Sequence, residues 1–305
     1  MNVLGNSRIT KRGAIVLLLI SAALLSACSS TKMAYRYADW GIVWWVEDYV
    51  TLTGAQKQQL NTDIDQLRQW HCSTELPRYQ VWLTGLESDI RQGNLDQAAL
   101  AYHQDQLFDF FDPLLTRVPP IAANLLASLS DPQVRELAEN MEQNQEELEN
   151  KFLADDPDAT ATARAERTQE RVERWLGDLN ANQKAIVNTW SSQRGRQTEI
   201  WLEGRRNWQL ALLDTLQRRD EAGFSGEVER LITESERFRG EEYQAMMAES
   251  QSAINTLIRD LVQASDSVHL THLSGRAAEL NDDFESLACS SAPEVAASPD
   301  DQMVR

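Results

Sequence analysis

Beyond residue 50 the apolar residues of this chain recur at three- and four-residue intervals, the spacing that lines one face of a helix, and strand-like alternation is almost absent. The pattern predicts helices over 54–71, 77–92, 95–117, 120–128, 131–154, 160–177, 181–220, 226–265 and 268–288. Breaks are expected at Gly93-Asn94, Pro113, Pro119-Pro120, Asp155-Asp156-Pro157 and across 223–226, whereas Pro77 suits the first turn of its helix. Ahead of these helices, residues 35–50 hold Tyr35, Tyr37, Trp40, Trp44, Trp45 and Tyr49, with positions 37, 40, 44 and 45 suited to one helical face. A first helix facing the core is expected there, with an aromatic belt at a membrane interface as the alternative. Stripes of this kind pack as an all-α bundle of long antiparallel helices, without a sheet.

Three of the helix starts share one pattern. Leu52-Thr53-Gly54-Ala55-Gln56, Leu129-Ser130-Asp131-Pro132-Gln133 and Leu179-Asn180-Ala181-Asn182-Gln183 each place a capping side chain three residues before a glutamine. The cap accepts from the glutamine's backbone N–H while the glutamine reaches back to the cap, which is the capping box. Residues 53–91 and 180–218 both run from such a start through the length of a helix pair, with Gln56-Lys57 and Gln183-Lys184 at the same offset. An internal duplication is therefore a further expectation.

The chain begins differently. Arg8, Lys11 and Arg12 precede an apolar run over 14–25, closed by Leu25-Ser26-Ala27-Cys28. A basic start, a short apolar run and small residues make a secretory signal, and about a dozen apolar residues are too few to span a bilayer. The closing four residues resemble the lipobox of bacterial lipoproteins. That resemblance implies that Cys28 is acylated and, after cleavage, becomes the N-terminus, so that lipid anchors the protein to a membrane. Ser29 in place of Asp implies sorting to the outer membrane, facing the periplasm. The expected organisation is a signal peptide over 1–28, one helical domain over 29–289 and a disordered tail over 290–305 containing Pro293 and Pro299.

Charge and cysteine count narrow the picture. The 305 residues carry 47 acids against 29 lysines and arginines, a net charge of −18. Loss of the leader removes three bases and no acid, leaving −21. Such a chain is repelled by nucleic acid and by anionic surfaces, so a nucleic-acid partner is excluded. With Cys28 taken by lipid, Cys72 and Cys289 remain in an oxidising compartment. A Cys72–Cys289 disulfide is expected, two separate buried thiols being the alternative.

Candidate chemistry is sparse. His269 and His272 share a helical spacing, but no third ligand lies close beyond Asp266, and no metal or other cofactor is expected. His71 beside Cys72 has the makings of a nucleophile pair, which a disulfide would consume. No phosphate loop, nucleophile elbow or zinc-protease motif occurs, so no catalytic residue is assigned and an enzyme is not expected. Residues 164–219 carry eleven cations against seven acids, with Trp175, Trp190, Trp201 and Trp208 among them. Arg194, Arg196, Trp201, Arg205, Arg206 and Trp208 are the candidate partner-binding residues, for a glycan, a lipid head group or a protein segment. The preferred reading is that these tryptophans form core and the arginines pair with acidic helices. Between Trp190 and Ile200, however, there is no large apolar residue, so something polar must meet that stretch.

Tyr35-x-x-Ala38-Asp39-Trp40, the aromatic run over 44–49 and Leu52-Thr53-x-x-Gln56, following directly on the lipobox, resemble an uncharacterised family of bacterial lipoproteins defined only as a domain of unknown function. That resemblance implies an all-helical envelope lipoprotein and carries no activity. Thr53 and Gln56 also resemble the Leu-Thr-x-x-Gln motif of periplasmic stress chaperones of the Spy and CpxP type. A non-enzymatic, lipid-anchored scaffold or binding module for an envelope component is the expected function; a chaperone-like binder of unfolded periplasmic proteins is the alternative.

Overall fold

The computed structural model describes residues 30–154 and 156–289. Residues 1–29, which include Cys28, and residues 290–305 lie outside the described residues. Helices account for nearly everything else, and no strand occurs among the described residues. In chain order they are α1 (Ser30–Arg36), α2 (Ala38–Glu47), α3 (Gly54–Trp70), α4 (Leu76–Gln92), α5 (Gln97–Asp109), α6 (Asp112–Ala127) and α7 (Asp131–Phe152). They continue as α8 (Pro157–Leu176), α9 (Ala181–Ser192), α10 (Gln197–Leu216), α11 (Phe224–Thr233), α12 (Ser235–Arg239), α13 (Glu241–Gln263) and α14 (Ser267–Leu287). The all-α bundle is as the periodicity predicts.

All three capping boxes form, at Thr53, Ser130 and Asn180. Their glutamines also join helices to one another. Gln56 Nε2 donates to the Ser128 carbonyl (2.8 Å), and Gln133 Nε2 donates to Gln56 Oε1 (2.8 Å) and to the Thr51 carbonyl (2.9 Å). Gln183 is fully buried and donates to Ser265 Oγ (3.1 Å) at the end of α13. A fourth box, Asp266 with His269, opens α14 and escaped the sequence pattern because histidine replaces the usual Gln or Glu.

Three apolar clusters hold the helices. The largest gathers Leu60 and Ile64 of α3, Leu137 and Met141 of α7, Leu212 and Leu216 of α10, and Val228 and Leu231 of α11. A second joins α8, α9 and α13 through Ala165, Val187, Leu257 and Leu261. The third surrounds Cys72, Leu76 and Leu287, where α14 lies along α4. On α10, Gly204 permits a close crossing: an added Cβ there would stand 2.5 Å from Tyr243 Cδ2.

Helix ends depart from expectation where prolines and glycines sit. The chain does not break before Pro77 but passes from α3 into α4 through a π-turn, His71–Glu75. The Leu76 N–H donates to the His71 carbonyl, one residue beyond the α register. Cys72's carbonyl then faces Pro77, which has no N–H to give. It accepts from the Cys289 N–H instead (3.1 Å), beside the Cys72–Cys289 disulfide. The proline thus frees a carbonyl that docks the end of α14. Pro119 and Pro120 do not divide their region either; α6 runs through both. An interior proline costs about 3 kcal/mol locally, which burial of Ala123 and packing of Ile121, Leu125 and Leu126 against the main cluster offset. The predicted helix over 95–117 instead parts at Phe110-Phe111.

The long helices predicted over 181–220 and 226–265 are each divided. Gly195 (φ +46°) turns the chain between α9 and α10, and Glu234 and Gly240 (φ +106°) divide α11, α12 and α13. The two segments read as a duplication share a capping box and a length, but one is continuous through a π-turn and the other is broken at Gly195.

α1 and α2 correct the expectation of a core-facing first helix. No residue of α2 is buried; only Val43 and Val46 lean on the main cluster. Trp40, Trp44 and Trp45 are 68, 58 and 59 % exposed.

Beside the disulfide, His71 Nδ1 lies 3.1 Å from the Tyr35 hydroxyl and Nε2 lies 3.3 Å from that of Tyr79. Burial holds His71 below the usual histidine range, against the opposing pull of the Glu75 carboxylate. Burial also pushes Tyr35 up to about 12. Because the unfolded chain takes up this proton near pH 6.5 and the folded protein only at lower pH, acid favours unfolding. Stability from His71 is complete above about pH 6.5 and is lost as pH falls toward the folded value. Thermal melts of the wild type should therefore drop between about pH 6.5 and 5 more steeply than those of His71→Gln. Parallel curves for the two proteins would sink this account.

Candidate functional site

The basic tryptophan-bearing stretch is divided by the turn at Gly195, and its two halves have different surroundings. In the second half, arginines are spent within the bundle. Arg205 donates to Gln145 Oε1 (2.6 Å) and Asn144 Oδ1 (2.7 Å) on α7, and Gln145 is 0 % exposed. Arg206 forks onto both oxygens of Glu142 (3.0 and 2.8 Å) and reaches Glu149 (3.3 Å). The hydrogen bond with Glu142 raises Arg206, and that from the Gln145 amide lowers Glu149. Trp208 donates its indole N–H to the Leu231 carbonyl (2.7 Å), and Trp201 meets Phe152 edge to face. These four residues join α10 to α7 and α11. Trp190 does not share a helical face with Trp201 and Trp208, since it lies on α9 before the turn.

In the first half the polar groups are incompletely matched. A groove of about 630 Å³ runs between α9 and α13, lined by Asn182, Thr189, Trp190, Arg194, Glu249 and Asp260 among others. Arg194, at the end of α9, has a side chain only 9 % exposed; its Nη1 lies 3.5 Å from Glu249 Oε1. Its Nε is buried with no hydrogen-bond partner, and so is the indole N–H of Trp190. Behind Arg194, Arg164 donates to the Ser191 carbonyl (2.9 Å) and to Thr198 Oγ1 (2.9 Å). Burial first, then the neighbouring Arg167 and Arg194, hold Arg164 below the usual arginine range. The groove wall is thus cationic at depth, while Glu249 and Asp260 stand on the α13 side.

A buried donor without an acceptor costs about 1–3 kcal/mol, and Trp190 and Arg194 each bury one beneath the groove surface. An acceptor oxygen would recover that loss where a small side-chain shift presents the N–H to the groove.

The other candidate residues take structural places. Arg196 pairs at the surface with Glu199 (2.6 Å) and Glu242 (3.3 Å). His269 is buried; its Nδ1 lies 2.7 Å from Asp266 Oδ1 and its Nε2 lies 3.2 Å from the Asp178 carbonyl. Among the described residues no group of three His, Cys, Asp or Glu side chains is placed to hold a metal ion. Of the six partner-binding candidates, only Arg194 lines the groove. Glu249 and Asp260 were missed because nothing in an acidic helix some sixty residues onward marks it as the opposite wall. The absence of large apolar residues after Trp190 was the one legible signal.

Residues 48–244 match the model of a family described as a family of unknown function (DUF6279). No curated protein and no solved structure matches the chain.

Proposed function

We infer function for a chain that belongs to the DUF6279 family of unknown function, and we propose that it is a lipid-anchored binding module of the bacterial cell envelope. Cys28 carries the lipid, Ser29 directs it to the outer membrane, and the bundle faces the periplasm. The groove between α9 and α13 receives an oxygen-rich group of another envelope component. The observation that supports this is the pair of buried donors without acceptors, Trp190 Nε1 and Arg194 Nε, beneath one wall of an open groove, to which a small side-chain shift would present them.

Trp190→Phe keeps an aromatic ring, removes the N–H and gives up part of the indole's packing on the second cluster. Relief of the unpaired donor offsets the lost packing, so stability should change by no more than about 1 kcal/mol. Binding should weaken in the same variant. In intact cells, a photo-crosslinking residue at Ala253 in the groove should give a discrete adduct that Trp190→Phe diminishes. The same residue at the exposed Glu146 on α7 should give none. Identical adducts from both positions, or an Ala253 adduct indifferent to Trp190→Phe, would overturn the reading.

A further inference from the structure

Apart from the edge of Trp45 against Tyr49, the aromatic face of α1 and α2 is covered by no helix among the described residues. Tyr37, Trp40, Trp44 and Trp45 are all more than half exposed, as is Met33, and Trp40 stacks on Trp44 with ring centres 6.4 Å apart. A nearly wholly apolar hollow among them is lined by Ala34, Tyr37, Ala38, Trp40, Gly41 and Trp45, with Ile42. Helices apolar all round are ordinarily enclosed by protein or by lipid, and one side of α2 is not covered by protein among the described residues. This face is rigidly held from behind. Tyr35 turns inward so that its hydroxyl meets His71 (3.1 Å) and the Arg68 carbonyl (3.4 Å), Lys32 pairs with Asp283 (3.3 Å), and Val43 and Val46 pack on the main cluster.

We propose that this face seats in the lipid–water interface of the membrane to which the chain is anchored, fixing the orientation of the bundle as well as its attachment. The proposal rests on the lipid-anchor reading of Cys28. Three observations favour lipid over a second copy of the chain. The first is position: the chain outside the described residues ends at Ser29, directly before α1, so Cys28 lies two residues from it. At 1.5 Å per helical residue the tryptophans fall within roughly 25 Å of that point. The second is residue type: Trp and Tyr are enriched where one side is apolar and the other wet, whereas a protein-covered face is served as well by Leu and Ile. The third is charge. Over α1 and α2 Lys32 and Arg36 balance Asp39 and Glu47, a net of zero, in a mature chain of −21. Anionic lipid surfaces repel the body but not this segment. No helix among the described residues is long and apolar enough to cross a membrane, so the contact is with the surface.

The test uses the full acylated protein in vesicles of phosphatidylethanolamine and phosphatidylglycerol whose acyl chains carry bromine near the head group. Tryptophan emission of the wild type should be quenched, and that of Trp40→Ser/Trp44→Ser/Trp45→Ser should not. Circular dichroism should be unchanged, since the replaced rings are exposed. Equal quenching of both proteins would overturn the proposal, as would an unquenched wild type. Crosslinks between copies through position 40 that grow with protein concentration would assign the face to a second copy and overturn it too. Mass spectrometry of the mature N-terminus reads the anchor separately. If Cys28 carries no lipid the anchor reading fails, and quenching by vesicles added to that unacylated protein still decides whether the face meets lipid.

Discussion

Replacing Cys289 by Ser should lower the unfolding free energy by about 2–5 kcal/mol, the range for loss of a native disulfide. The Cys72–Cys289 bond spans 217 residues. In the chain-entropy treatment a loop of that length restricts the unfolded ensemble by about 5 kcal/mol, an upper figure. The native side is favourable as well. Cys72 is 1 % exposed and lies among Leu76, Leu287, Tyr79 and Phe284, and its carbonyl holds the Cys289 N–H. Serine at 289 leaves the second contact available, so the loss should register mainly as a changed unfolded state. Denaturant unfolding with and without reductant checks this: reduction should destabilise the wild type and leave Cys289→Ser unmoved. The α14 helix should then fray first, giving faster amide exchange over 267–287 than elsewhere. A reduced wild type as stable as the oxidised one would refute the assignment of the disulfide as a major tie.

The second large effect is expected at the seam between α7 and α10. Arg205→Glu with Arg206→Glu should destabilise the protein by roughly 3 kcal/mol, the upper end of the range for leaving a buried hydrogen-bonding group without its partner. Arg205 holds the side-chain oxygens of Gln145 and Asn144, and Asn144 Oδ1 also accepts from the Tyr49 hydroxyl (2.9 Å). Gln145 spends its amide on the Leu202 carbonyl (3.1 Å) and Glu149 (2.8 Å). A carboxylate at 205 would face the amide oxygens of Gln145 and Asn144, and one at 206 would face Glu142 and Glu149. Most of the loss should come from Arg205, because Arg206 is partly exposed and its pairs are screened by solvent. Arg196→Glu on the exposed turn should change stability little. Chemical denaturation of the three variants orders them, and equal stability of Arg205→Glu and Arg196→Glu would contradict the account. Arg205 and Arg206 pair within the bundle, in line with the preferred reading of the sequence rather than with the partner surface that was its alternative.

The departures share a cause. Pro77, Pro119 and Pro120 are strong local stop signals, yet the chain runs helical through all three. Each local cost is met elsewhere: Pro77 by the Cys289 N–H, and the Pro119-Pro120 pair by apolar packing on the main cluster. Gly195 acts the other way. The helix predicted over 181–220 runs straight through it, whereas a left-handed backbone there ends α9 and lets α10 start on a new axis. A single-residue signal cannot rank these outcomes, because its local cost is similar in size to the tertiary contacts that oppose it.

What the sequence determined by itself follows from short-range physics. Helical periodicity, and capping boxes at Thr53, Ser130 and Asn180, are settled within four residues of each position, and they specify an all-α chain and the places where helices begin. Tertiary structure alone decided which polar and aromatic groups found partners. Arg205 met Gln145, Trp208 met the Leu231 carbonyl, and the α13 wall came to stand opposite Trp190 and Arg194. It also left Trp40, Trp44 and Trp45 uncovered. These are contacts between residues tens of positions apart, or the lack of them. Whether a buried donor or an apolar face is satisfied depends on what the packed bundle brings opposite it, and the order of residues along one helix does not contain that information.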